Sequence, residues 1–62
     1  MDISNAILET LSESTQPVKR TNLIAKVYQK AQRHLCNHHL QFLIVNGKIE
    51  RVGMGFYQLV KN

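Results

Sequence analysis

The chain has no carboxylate between Ser14 and Ile49. It has one cysteine, one proline, three glycines and no tryptophan. Each scarcity excludes something. With Cys36 alone an internal disulfide cannot form, which fits a reducing, cytoplasmic setting. No stretch approaches the ~20 consecutive apolar residues of a membrane span, so no membrane insertion is expected. Met1-Asp2-Ile3-Ser4-Asn5 offers neither a basic n-region nor an apolar h-region, so a secretory leader is not expected. No glycine-rich loop is present to cradle a phosphate. The four acids do not form a pair suited to acid–base work, and no cofactor motif is found, so the reading is non-enzymatic and cofactor-free.

What is present reads as one small domain spanning 1–62. Its hydrophobic fraction of 44% is ordinary for a globular protein and argues against disorder. A chain this short buries only about 60% of its unfolded surface, so its stability is marginal. The formal net charge is +4, and the acid-free stretch carries Lys19, Arg20, Lys26, Lys30, Arg33 and Lys48. A one-signed segment of this kind predicts a polyanionic partner.

Apolar spacing predicts a first helix over about Ile3 to Ser14, with Ile3, Ile7, Leu8 and Leu11 on its buried stripe and Asp2 favouring its start. Pro17 ends a polar loop, and Val18 is expected to open a short edge strand. Thr21 reads as the N-cap of a second helix that buries Leu23, Ile24, Val27, Tyr28 and Ala31. No glycine or proline lies between Leu23 and Asn46, so one long helix competes with two. At about 100° per residue the stripe of residues 23–31 is rotated roughly 100° or more from that of Cys36, His39, Leu40 and Leu43. A single helix would have to bury two faces, so a turn is expected near Gln29 to Arg33. Asn46-Gly47 is a C-cap signal. Lys48–Val52 and Phe56–Val60 read as strands about a Gly53-Met54-Gly55 turn, with Ile49, Tyr57 and Leu59 facing the helices. The expected class is α+β: a winged helix-turn-helix of three helices and a C-terminal two-stranded hairpin, with a short first strand near Val18.

The pattern Thr21-x-Leu23-Ile24, then Leu40-Gln41-Phe42-Leu43-x-x-Asn46-Gly47-Lys48-Ile49-Glu50, then Gly55-Phe56-Tyr57-x-Leu59, resembles small prokaryotic winged-helix transcriptional regulators. It is closest to an archaeal-type group carrying L-x-F-L-x-x-N-G-x-I before the wing. The resemblance covers nearly the whole chain and departs from the usual pattern in lacking a glycine or small capping residue in the turn. It implies a double-stranded DNA ligand, a recognition helix in the major groove, and often a homodimer.

Opposite the apolar stripe of the third helix, Lys30, His34, Asn37, His38 and Gln41 are expected to cluster. Asn37 and Gln41 suit base edges, His34 and His38 suit bases or phosphates, and Lys30 and Arg33 suit phosphates at the helix start. Lys19, Arg20 and Lys26 flank the second helix and suit phosphate contact, and Lys48 and Arg51 border the wing. An ordinary solvated face is the competing reading for each. Cys36, His34, His38 and His39 invite a metal reading, but His34 and His38 fall on one side of a helix and Cys36 and His39 nearly opposite, so no metal site is expected. Cys36 and His39 read instead as a buried thiol and a core or boundary histidine. Phe42, Ile44 and Val45 lie outside the main stripe and predict an exposed apolar patch, suited to a homodimer contact or a protein partner. A docking module that does not bind DNA is therefore the second functional reading, since fold alone does not fix function. RNA is a third, without an aromatic stacking platform to favour it.

Overall fold

The computed structural model of the chain describes residues 1–60. In order, the elements are α1 (Ile3–Ser12), β1 (Val18–Lys19), α2 (Arg20–Ala31), α3 (Asn37–Val45), β2 (Ile49–Val52) and β3 (Phe56–Leu59). The strands form one antiparallel sheet in the order β1-β3-β2. Val18 pairs with Tyr57, and Ile49 pairs with Leu59. Three helices with a three-stranded antiparallel sheet make the α+β class that the sequence predicts, in a layout compatible with a winged helix. Among the described residues no helix is long and apolar enough to cross a membrane.

Asp2 caps α1 by accepting the Asn5 amide at 2.7 Å. Ile3, Ile7 and Leu11 are buried as expected, joined by Ala6 and Thr10, while Leu8, also expected on the stripe, is only partly buried against the core. The Thr10 hydroxyl tolerates burial because it donates to the Ala6 carbonyl at 2.7 Å. The helix stops at Ser12 rather than Ser14. The Ser14 hydroxyl instead donates to the Gln16 carbonyl at 2.7 Å, a local bond that competes with the helix.

The start of α2 corrects the expected cap. Lys19, not Thr21, occupies the N-cap, and no side chain caps it. Strand pairing fixes the position instead, because Lys19 pairs with Phe56 and the Arg20 amide donates to the Gly55 carbonyl at 2.7 Å. Leu23 and Val27 are fully buried, with Ile24 and Ala31 packed partly against them. Tyr28 is 47% exposed, contrary to its expected burial, and its ring lies 4.9 Å from that of His34.

The turn between α2 and α3 lies later than expected, at residues 32–36 rather than 29–33. Gln32 adopts the left-handed conformation (φ 59°) and its amide donates to the Tyr28 carbonyl at 2.8 Å. Glutamine thus performs the stop that glycine usually performs. Leu35, unforeseen as a core residue, is buried and pins the connection to the core.

Lys30 consequently belongs to α2, not to the start of α3. Its ammonium donates to Glu9 at 2.9 Å and Glu13 at 3.0 Å, tying α2 to α1. These hydrogen bonds, to Glu9 first and Glu13 second, hold Lys30 above the ordinary lysine value of 10.5. A cation with a raised folded-state pKa stabilises the fold below its unfolded pKa and loses that effect as pH rises through the folded one. Lys30→Gln is therefore expected to lower Tm at neutral pH, with the gap to the parent closing above about pH 10.5. A gap that persisted unchanged into that range in thermal melts would count against the ion-pair assignment.

Leu40 and Leu43 bury the inner face of α3. The helix ends as Asn46-Gly47 predicts. Gly47 has φ 72°, its amide donates to the Ile44 carbonyl at 3.0 Å, and the Lys48 amide donates to the Leu43 carbonyl at 2.9 Å. This is a Schellman closure, and it turns the chain directly into β2. Ile49 and Tyr57 are buried and Leu59 packs partly against the core.

Candidate nucleic-acid interface

The path of the chain decides which of the expected site residues meet. Arg20 opens α2 where β1 ends, Asn37 opens α3, and Arg51 lies in β2 opposite Tyr57. These three, with Gln41, line one open groove between α3 and the hairpin, floored by Leu40, Ile44 and Tyr57. The Arg20 Nη2 donates to the Asn37 Oδ1, joining the starts of the two helices. Its Nε is shielded from solvent and has no acceptor among the described residues. Glu50 also lines the groove, where it accepts from the Gln58 amide at 2.6 Å. The groove thus holds two guanidinium groups, two carboxamides and one carboxylate.

The Arg20–Asn37 bond alters what each residue can read. A bidentate contact to adenine needs a carboxamide that both accepts and donates. The Asn37 oxygen is engaged by Arg20, whereas among the described residues no such bond ties the exposed Gln41. Gln41 thus keeps its whole carboxamide free for a ligand, whereas Asn37 holds Arg20.

The other expected residues are dispersed. Lys19 and Lys26 line a second open depression together with Asn22. Lys30 is engaged by Glu9 and Glu13 and lies on α2, away from the outer arc of α3 on which it was expected. Arg33 and His34 are exposed in the connection between α2 and α3 instead of on α3. Their expected helical placement fails because the α3 start moves to Asn37. Lys48 is exposed just beyond Gly47.

The outer arc of α3 is mixed rather than purely polar. At about 100° per residue, Asn37, Gln41, Val45, His38 and Phe42 span roughly 140°. All five are exposed, including Phe42 at 59% and Val45 at 81%. The expected apolar patch is thus present at Phe42 and Val45. Ile44 departs from it, since it turns inward and packs against the core.

Cys36 also departs from expectation. It is exposed and occupies the N-cap of α3 in extended conformation, instead of lying on the buried stripe. Cys36 could join the buried stripe only from within the helix, and the later turn leaves it one residue before α3 begins. Its amide donates to His39 Nδ1 at 3.2 Å, half of a capping box, while the His39 amide donates to the Cys36 carbonyl at 3.1 Å and the thiol donates to the His34 carbonyl at 3.9 Å. A thiol is a weak acceptor, so this cap is poor. Cys36→Ser is expected to raise stability by about 0.5–1 kcal/mol, measured by urea unfolding. A loss of stability instead would show that the thiol packs in a way a hydroxyl cannot.

Comparison with known proteins returned no matching family model, no matching curated protein and no matching solved structure.

Proposed function

We propose that the chain is a winged helix-turn-helix protein that binds double-stranded DNA as a transcriptional regulator, with α3 in the major groove and the β2–β3 hairpin as the wing. The observation that carries this reading is the convergence of Arg20, Gln41 and Arg51 on one open groove beside the outer face of α3. Gln41 would read a base edge, and Arg20, held by Asn37, would bind a phosphate flanking it. Lys19 and Lys26 would add phosphate contacts from α2, and Arg33, His34, His38 and Lys48 would supply further donors at the edges of the interface. Phe42 and Val45 suit thymine methyl groups on the same arc.

The second reading is protein docking, and the exposure of Phe42 and Val45 favours it. The two readings compete for one face. A homodimer closed through Phe42 and Val45 would cover the arc that carries Gln41. In the DNA reading, therefore, the dimer forms through another surface.

Titrating the purified chain into labelled random-sequence duplex, with anisotropy followed at several salt concentrations, tests the proposal. DNA binding predicts affinity that falls steeply as salt rises, because each phosphate contact releases counterions. Absence of binding at low salt would overturn it. Docking would then become the better reading, with Phe42 and Val45 as the residues to change next.

A further inference from the structure

The start of α3 brings together three metal-binding side chains, of which the DNA reading uses only His38. Cys36 Sγ and one ring nitrogen each from His38 and His39 lie within 4.8 Å of one another. The two imidazole rings are 4.0 Å apart, centroid to centroid. Cys36 and His38 are exposed and His39 is half-buried, so all three can adjust. A tetrahedral zinc site with bonds of about 2.0–2.3 Å places its ligand atoms roughly 3.5 Å apart. The arrangement therefore needs shifts of about 1 Å, within the reach of side-chain rotation. The helical wheel hides this convergence, because Cys36 is extended and precedes the first turn of α3.

We propose that Cys36, His38 and His39 form a zinc(II) site at the start of α3, with the fourth position taken by water. A thiolate and two imidazoles are a donor set that zinc accepts. On binding, the Cys36 S–H bond breaks, the sulfur electron pair forms the S–Zn bond, and the proton passes to solvent. No electron is transferred. The site has a built-in competitor. The Cys36 amide donates to His39 Nδ1. If that nitrogen binds zinc its lone pair is used, and if the other nitrogen binds, Nδ1 carries the proton. Either way the capping bond is lost, so metal loading must change the environment of the Cys36 amide. The site shares His38 with the DNA reading but requires no nucleic acid, so the two are tested separately.

Cobalt(II) titration of the reduced chain, without DNA, tests this. One equivalent per chain is expected to produce a thiolate-to-cobalt charge-transfer band and the intense visible bands of tetrahedral cobalt, both abolished by zinc(II). Cys36→Ser is expected to remove the charge-transfer band while the chain stays folded by circular dichroism. His38→Asn is expected to weaken cobalt binding at least about tenfold. Amide NMR should show the Cys36 N–H shifting on zinc addition. The proposal is overturned if no charge-transfer band appears, if the band survives Cys36→Ser, if His38→Asn leaves the affinity unchanged, or if the metal is shared between two chains. A failed DNA titration alongside a successful cobalt titration would reject the DNA reading alone.

Discussion

Leu23→Ala is expected to unfold the chain at room temperature or to lower its Tm by roughly 10–30 °C. Leu23 is 0% exposed and belongs to the same core cluster as the fully buried Ile7, Val27 and Ile49. Truncating a fully buried leucine costs about 2–5 kcal/mol through lost burial and the cavity left behind. A chain of 62 residues has a total stability of only about 3–9 kcal/mol at typical values per residue. The substitution thus removes a large share of the total. Asn22→Ala, one residue earlier and exposed, is the control and should change stability by no more than about 0.5 kcal/mol. Thermal melts of the two variants decide the matter. A Leu23→Ala melt within about 2 °C of the parent would show that the core is not organised around α2.

The next largest effect concerns duplex DNA and follows from the Arg20–Asn37 bond. Gln41→Ala should cost about 1–3 kcal/mol on a preferred sequence and much less on random duplex, because a lost base contact relaxes discrimination. Arg20→Ala should weaken both sequences together and reduce the salt slope by about one. Asn37→Ala should follow the Arg20 pattern more closely than the Gln41 pattern, since the Asn37 oxygen is occupied by the guanidinium. Lys30→Gln should leave DNA affinity nearly unchanged, because Lys30 faces Glu9 and Glu13. Binding isotherms on specific and random duplexes at two salt concentrations separate these patterns. If Asn37→Ala relaxed sequence preference while Arg20→Ala had no effect, the assigned roles would be reversed.

Much of the fold was legible because its signals are periodic or local. The α1 stripe, the Asn46-Gly47 stop and the hairpin about Gly53 and Gly55 each depend on a few neighbouring residues. The misplaced turn had a different cause. Nothing in the chemistry of Gln32 announces a left-handed residue, and the strand pairing that fixes the start of α2 is made with Phe56, far along the chain. That shift of about three residues propagated into the site. It moved Lys30 into an ion pair, left Arg33 and His34 off the helix, and brought Cys36 to the surface. Asn37, His38 and Gln41 lie beyond the error, and their place on the outer arc of α3 was readable from helical spacing. The bond from Arg20 to Asn37 was not, because it joins residues that only tertiary packing brings together.

The hairpin tip adds one practical consequence. Met54 is 94% exposed between two glycines that carry no side chains to screen it. Mild peroxide will convert its thioether to the sulfoxide without disturbing the packed interior. Met1, at 62% exposure, is the other methionine and undergoes the same reaction at the far end of the sequence. The ratio of the two oxidation rates is therefore an internal gauge of shielding. A ligand that covers the hairpin slows Met54 relative to Met1, whereas one that seats only on α3 leaves the ratio as it was.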